Sequence, residues 1–301
     1  MYALPDLSGR TVLVTGTTSG LGLAASTALA RAGARVLTTA RDPERGKVAA
    51  AQAGGELVLL DLADLTSVRA AADEVRERTG DRLDVLLNNA GVAMGPRRET
   101  VDGFELQIGT NHLGPSALTW LLMPALRAAG DGDDFARVVT TTSLGHRNGG
   151  LDVADLHWER RRYRPNAAYC ASKLANLLFS AELDRRLRLA GDPVVSVAAH
   201  PGMTESQLLA NGTRRGRTLE AALFAPWDRW LTQPVEDGVA PQLAAAAGPV
   251  HGGDFLGPSG RMELHGPPAP ARRSRSAADP TLAGRLWHAT AEATGVTPDP
   301  A

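Results

Sequence analysis

Between residues 10 and 200 the chain alternates two hydrophobic rhythms. Short unbroken runs such as Thr11-Val12-Leu13-Val14-Thr15 are followed by longer stretches in which Ala and Leu recur at helical spacing among Arg, Glu and polar residues. A short continuous apolar run suits a strand buried on both faces, and the 3.6-residue recurrence suits a helix that packs along one stripe. The pattern predicts strands over 11–15, 34–39, 56–60, 83–87, 136–142 and 194–199, and helices over 21–32, 43–53, 66–78, 101–129 and 167–190. Such alternation builds a parallel sheet covered by helices on both faces. With right-handed crossovers it is a doubly wound, Rossmann-type α/β fold. Beyond residue 200 the rhythm weakens: 202–234 reads as a long connection, 235–247 as a helix, 254–256 as a last strand and 282–293 as a closing helix. Residues 266–278, rich in Pro, Ala, Arg and Ser, read as a surface or mobile segment. No repeat or composition break divides the chain, so a single domain over 1–301 is expected.

Composition narrows the function classes. Apolar residues make up 43% of the 301 positions, enough for a sizeable core, and the formal net charge of −1 leaves no electrostatic footprint for nucleic acid. The run Arg160-Arg161-Arg162-Tyr163-Arg164 reads as a solvated loop face, as do Arg272, Arg273 and Arg275. No stretch reaches the 18 or so apolar residues of a membrane span, and no basic region followed by an apolar run marks a signal peptide. A lone cysteine, Cys170, allows no intrachain disulfide and fits a reducing compartment, so a cytoplasmic protein is expected. No cluster has metal-ligand spacing, so no metal site is expected.

Candidate chemistry starts at the first strand–helix junction. Thr15-Gly16-Thr17-Thr18-Ser19-Gly20-Leu21-Gly22 places glycines where a tight turn and close backbone approach to a pyrophosphate are needed, with helix N–H groups ahead of them. A plain strand–helix turn is the competing reading. The second strand runs out at Arg41-Asp42-Pro43. An acidic residue about 20 positions past such glycines accepts from the ribose 2′-OH of NAD, whereas an arginine there accommodates the 2′-phosphate of NADP. Asp42 before Pro43 also reads as a helix N-cap, which leaves Arg41 for the phosphate and predicts NADP(H).

Only Lys47 and Lys173 among the 32 basic residues are lysines, and Lys173 follows Tyr169 by four positions in Tyr169-Cys170-Ala171-Ser172-Lys173. With three tyrosines and two lysines in the chain, a chance Tyr-x-x-x-Lys is expected roughly 0.02 times. On a helix the two share a face, so an ammonium there would lower the pKa of the phenol and make Tyr169 a proton donor and acceptor. The competing reading is a surface aromatic beside a solvated lysine. Further polar fragments fall at predicted strand ends: Leu60-Asp61-Leu62, Asn88-Asn89-Ala90-Gly91, Thr142-Ser143 and His200-Pro201-Gly202. All open on the crevice where doubly wound sheets bind ligands.

Together these motifs resemble the short-chain dehydrogenase/reductase family, most closely its retinol-dehydrogenase-like and protochlorophyllide-reductase-like branch. The resemblance runs from Gly9 to about Val296 and is closest at Ala168 to Asn176, Asn111-His112-Leu113-Gly114 and Leu286-Trp287-His288. It implies a catalytic tetrad of Asn111, Ser143, Tyr169 and Lys173. Tyr169 would exchange a proton with the substrate oxygen and Ser143 would hydrogen-bond that oxygen. Lys173 would tune Tyr169 and hold the nicotinamide ribose, and Asn111 would stabilise a helix break carrying a water. It implies cofactor contacts from Gly16, Thr18, Ser19, Gly20, Leu21, Gly22 and Arg41 in the first half of the site. Asp61 and Leu62 would meet the adenine, and Asn88, Ala90 and Gly91 the adjacent ribose. Pro201, Gly202, Thr204 and Ser206 would flank the carboxamide. Pro115 after Gly114 departs from the family pattern and puts the helix path near Asn111 in question, and His146 and His200 read as structural hydrogen-bonding residues.

The segment 203–234 carries Leu208, Leu209, Leu219, Leu223, Phe224, Trp227 and Trp230, so as a substrate cover it suggests a lipophilic carbonyl or alcohol; core packing is the alternative. The resemblance leaves two other functions open, reduction of a conjugated C=C bond and non-enzymatic nucleotide sensing. Relatives often pair through the helices after strands four and five, implying a homodimer or homotetramer, although the loop 149–166 stands in a position to interfere.

Overall fold

A computed structural model describes residues 2–130, 135–204 and 233–300. Among these residues eight strands form one sheet: β1 (Thr11–Val14), β2 (Arg35–Ala40), β3 (Glu56–Leu59), β4 (Val85–Asn88), β5 (Ala136–Thr141), β6 (Val194–Ala199), β7 (Phe255–Pro258) and β8 (Pro268–Pro270). Their order is β3-β2-β1-β4-β5-β6-β7-β8, parallel throughout except that β8 runs antiparallel to β7. The order reverses direction between β1 and β4, which opens a crevice at their carboxyl ends.

Helices α1 (Gly20–Arg31), α2 (Pro43–Ala53), α3 (Leu65–Thr79), α4 (Leu106–Ile108), α5 (Gly114–Ala129), α6 (Pro165–Ala190), α7 (Val235–Gly238), α8 (Ala240–Ala247) and α9 (Pro280–Thr294) flank the sheet. Several ends are written in the sequence. Asp42 caps α2, accepting from Glu44 N and Arg45 N at 3.0 Å each, with Pro43 in the first turn; Asp64 and Asp279 do the same for α3 and α9. Gly54, Gly80, Gly191 and Gly295 terminate α2, α3, α6 and α9 in the left-handed region that glycine adopts without steric cost.

Strand side chains alternate between two cores. Leu13, Leu86 and Val138 face one core, built against α3, α5, α6 and α9, while Val12, Val14, Leu87, Val139 and Val197 face the other, against α1 and α8. Within the first, Trp287 of α9 stacks on Phe179 of α6 (5.4 Å between ring centroids) and meets Trp120 of α5 edge-on at 4.9 Å. The chain's own last helix thus lies against both α5 and α6.

Two sequence expectations need correction. The helix expected over 101–129 is broken: α4 is one turn, residues Gly109–Leu113 form a π turn, and only then does α5 begin. Residues 101–104 are spent on a turn closed by Gly103 N to Thr100 O, and Glu105 starts the helix by accepting from Gln107 N and Ile108 N at 3.0 and 2.8 Å. Pro115 falls in the first turn of α5, a position that tolerates its missing N–H. The second concerns 266–278, which lies at the surface but supplies β8 and a 3₁₀ turn at Ser276–Ala278. Ser259 N donates to Pro267 O and Ala271 N to Phe255 O, so the proline-rich stretch is held at the edge of the sheet.

Candidate active site

One side of the crevice is a cleft of about 500 Å³ lined by Gly16, Thr18, Ser19, Gly20, Leu21, Gly22, Arg41, Asp61, Leu62, Ala90 and Gly91, all of them residues singled out from sequence. Its floor requires glycine. A Cβ on Gly22 would sit 2.2 Å from Gly16 O and 2.6 Å from Asn89 Nδ2, and one on Gly16 (φ +71°) would sit 2.8 Å from Ala90 Cα. Ser19 precedes α1 but makes no side-chain cap, so the first-turn N–H groups point forward, as an anionic pyrophosphate needs. Thr15 Oγ1 accepts from Asn89 N and Ala90 N at 3.0 Å each, and Thr39 Oγ1 accepts from Gly16 N at 3.1 Å, which stitches the loop to its neighbouring strands.

The cleft also reaches Thr39, Arg45, Val92 and Thr110, which the sequence did not single out, together with Asp42, read from sequence as a cap, and Asn89 of the Asn88–Gly91 fragment. Arg45 is one helical turn beyond Arg41, so a helix starting at Pro43 was the available signal. Asn88, by contrast, turns away: it is buried, with Nδ2 donating to Thr119 Oγ1 at 2.9 Å beneath α5. Asn89 takes its place, reaching Thr15 O at 2.9 Å and accepting from Gln242 Nε2 at 3.0 Å. Gln242 also donates to Thr141 Oγ1 at 2.7 Å and is fully buried. A single amide just ahead of the apolar run Leu243-Ala244-Ala245-Ala246-Ala247 is its sequence signal.

The tetrad converges at the carboxyl ends of β4 and β5. Ser143 follows β5, and its Oγ accepts from Gly145 N at 3.2 Å, starting a 3₁₀ turn over Leu144–Asn148. Tyr169, on the second turn of α6, lies beside Ser143: a Cβ on Gly145 would be 3.5 Å from Tyr169 Cε1 and 3.7 Å from Ser143 Oγ. Burial raises the phenol pKa above its ordinary value and the neighbouring Ser143 hydroxyl only partly offsets this, so the expected lowering by Lys173 is not what the site shows. Lys173 Nζ lies 5.9 Å from the Tyr169 ring centroid and donates to Thr141 O at 3.3 Å. Burial pushes its pKa down to about 8. Thr142 Oγ1 donates to Lys173 O at 2.7 Å, fastening α6 to β5.

Asn111 sits in the π turn. Its Oδ1 accepts from Val92 N at 2.7 Å, and its Nδ2 donates to Val92 O and Ser172 Oγ at 2.9 Å each. Gly91 lies between Asn111 and Lys173: a Cβ there would be 3.2 Å from Asn111 Oδ1 and 3.3 Å from Lys173 Nζ. The tetrad therefore abuts the cleft at Gly91.

Pro201, Gly202 and Thr204 follow β6 and do not contribute to the cleft described above. Gly202 (φ +66°) packs on Leu264 O, and Thr204 is fully buried, bridged to Gln233. Ser206 and the apolar residues from Leu208 to Trp230 lie outside the described residues. Both histidines are structural: His146 Nδ1 meets Ser143 O at 2.8 Å, and His200 accepts from Gly202 N at 3.1 Å and meets Glu263 Oε2 at 3.0 Å. Burial lowers both pKa values, that of His200 to about 4. Among the described residues no group of His, Cys, Asp and Glu could hold a metal ion, and no helix is long and apolar enough to cross a membrane.

Known proteins are similar to this chain in sequence and fold. The family described as short chain dehydrogenase matches residues 10–215. The chain is 36% identical to retinol dehydrogenase 13 of Homo sapiens over 96% of this chain and 86% of that protein, and 40% identical to polyprenol dehydrogenase of Mus musculus over 94% and 83%. Among solved structures, an uncharacterized protein from Mycobacterium paratuberculosis aligns with TM-score 0.80 and 42% identity over 97% of this chain and 96% of that one. A Pseudomonas aeruginosa RhlG/NADP active-site complex aligns with TM-score 0.66 and 26% identity over 85% and 96%.

Proposed function

The chain belongs to the short chain dehydrogenase family, and from that premise we propose that it is an NADP(H)-dependent oxidoreductase interconverting a lipophilic carbonyl and its alcohol. The glycine floor fits a dinucleotide, because any side chain at Gly16 or Gly22 would fill the space its backbone needs. Bound there, the cofactor supplies or accepts the hydride. Gly16, Ser19 and Gly20 would hold the pyrophosphate, Asp61 and Leu62 the adenine, and Ala90 and Gly91 the ribose.

NADP over NAD rests on charge at the end of β2. Arg41 and Arg45 both border the cleft; of the two carboxylates between them, Asp42 is engaged with two backbone N–H groups of α2 and Glu44 pairs with Lys47 at 2.8 Å. A 2′-phosphate would therefore meet two cations and an acid already committed to capping.

The observation that carries the chemistry is the placing of Tyr169 and Ser143 together at Gly145, with the buried Lys173 one helical turn from the phenol. A phenol raised by burial stays protonated at neutral pH, so Tyr169 Oη can give its proton to a carbonyl oxygen that Ser143 Oγ also holds. Lys173 Nζ, brought to about 8, is within range to pass a proton to Tyr169 at working pH. Pro201, Gly202, Thr204 and Ser206 are proposed on the carboxamide side, and Asn111 as the keeper of the π turn. Retinol and polyprenol dehydrogenases, by their names, act on apolar alcohols, which supports a lipophilic substrate.

The test follows reduced-nicotinamide absorbance with both cofactors against a panel of carbonyls and alcohols. Tyr169→Phe should lower turnover at least ~10²-fold. Full activity in that variant, or a preference for small polar carbonyls, would overturn the respective part of the reading. Product analysis with NADPH separates carbonyl reduction from reduction of a conjugated C=C bond. A cytoplasmic location remains part of the proposal. A homodimer or homotetramer is likewise part of the proposal.

A further inference from the structure

We propose that Glu263 is a positioning residue for the reaction, its carboxylate locking the turn that carries Ser143 to the strand end that carries Pro201 and Gly202. Glu263 belongs to the turn Arg261–Glu263 after β7, remote in sequence from the tetrad. Its side chain is 15% exposed, and its contacts come from three separate segments. Oε2 ion-pairs with Arg147 Nη2 at 2.6 Å and accepts from His200 Nε2 at 3.0 Å, and Oε1 accepts from Arg272 N at 3.2 Å.

Each contact bears on one wall of the site. Arg147 lies in the 3₁₀ turn that begins at Ser143, and the start of that turn is held by Ser143 Oγ to Gly145 N and by His146 Nδ1 on Ser143 O. Glu263 fixes its far end. Tyr169 rests on the same turn, since a Cβ on Gly145 would lie 3.5 Å from Tyr169 Cε1. On the other wall, His200 Nδ1 accepts from Gly202 N, so the imidazole hydrogen is on Nε2 and is donated to Glu263. The backbone beside Glu263 repeats the connection: Met203 N donates to Leu264 O at 2.9 Å, and a Cβ on Gly202 would sit 2.3 Å from that oxygen.

The local backbone supports the same conclusion. Met262 (φ +57°) and Glu263 (φ +61°) are consecutive non-glycine residues in the left-handed region, a conformation that persists only where surrounding contacts enforce it. Met262 itself is 68% exposed, so the enforcing contacts are those of the Glu263 carboxylate and of Leu264.

The inference rests on the proposed roles of Ser143, Pro201 and Gly202. The experiment measures kcat, carbonyl KM, NADPH Kd and thermal midpoint for Glu263→Gln, Glu263→Ala, Arg147→Met and the Glu263→Gln/Arg147→Met pair. Misplacing Ser143 by a fraction of an ångström should lower kcat ~10-fold in Glu263→Gln, with carbonyl KM within about twofold. The double variant should be no worse than the poorer single one, because both remove one shared contact. Arg147 is one-third exposed and its removal should leave folding intact, so it keeps the test open if Glu263→Ala does not fold. Wild-type kcat in Glu263→Gln and Arg147→Met, or losses that follow only the folded fraction, would overturn the proposal. If Tyr169→Phe and Ser143→Ala also retained turnover, the functional reading itself would fall; if they did not, only the role of Glu263 would.

Discussion

Replacing Lys173 with methionine should make the apoprotein more stable and leave it inactive. The ammonium is 5% exposed, and its hydrogen bond is a single one, to Thr141 O at 3.3 Å. Among the described residues no carboxylate pairs with it, and burial brings its pKa from 10.5 to about 8. At about 1.4 kcal/mol for each factor of ten in proton affinity, holding the charged form in place costs about 3 kcal/mol. Methionine fills nearly the same volume without charge, and Thr141 O keeps a second donor, Asn176 Nδ2 at 3.1 Å, so about 1 kcal/mol is lost with the lysine's bond. A net gain of about 2 kcal/mol at pH 7 follows. Between pH 8 and 10.5 the unfolded wild-type chain binds a proton that the folded chain releases, so wild-type stability rises with pH through that window and the advantage of the variant shrinks. Urea unfolding of both proteins at pH 7 and 9.5, followed by circular dichroism, measures this directly, and the difference cancels the titration of Tyr169 and Cys170. Turnover should fall at least ~10²-fold in the same variant. Equal or lower stability of Lys173→Met at pH 7, or a gap that does not narrow with pH, would refute the reasoning.

Other consequences are equally open to measurement. Arg41→Ala and Arg45→Ala should each weaken NADPH binding by about 1.5–3 kcal/mol while changing NADH binding little; fluorescence titration giving equal losses for both would reject the phosphate assignment. Gly22→Ala, whose Cβ would press on Gly16 O, should cost about 1–3 kcal/mol of stability and weaken cofactor binding. Gly284→Ala on α9, where nothing lies within 4 Å, should instead stabilise by about 1 kcal/mol in the same unfolding assay. Trp287→Ala should cost about 3–5 kcal/mol by emptying the stack with Phe179 and Trp120. Trp287→Phe should cost much less, because the buried indole Nε1 has no hydrogen-bond partner to lose.

What the sequence disclosed and what it withheld divide along a physical line. Strand positions, the Asp42 cap and the Tyr169–Lys173 pair are local signals, carried by apolar runs, a Pro after an Asp, and helical spacing, and each lies where those signals put it. The π turn depends on Asn111 reaching Val92, nineteen positions away, a contact no local pattern announces. Choosing Asn88 over Asn89 was a matter of strand phase: β4 ends at Asn88, whose side chain goes under α5, and the next residue faces the cleft. Tyr169 shows the limit of arguing pKa from a neighbour alone, since burial of the phenol outweighs an amine that lies 5.9 Å from its ring. Proline in 266–278 read as a break, yet a strand at a sheet's rim tolerates it.

That rim shapes how the molecule meets its surroundings. In β8, Ala269 stands opposite Gly257, and the hydrogen bonds on either side of this pair fix Ala269 as the residue whose N–H points inward. Pro268 and Pro270 occupy the outward positions and have no N–H to offer. A stray strand approaching from that flank would find acceptors without donors, and could not zip on. The last strand thus caps the sheet against edge-to-edge aggregation through chemistry that charged side chains supply in many other proteins.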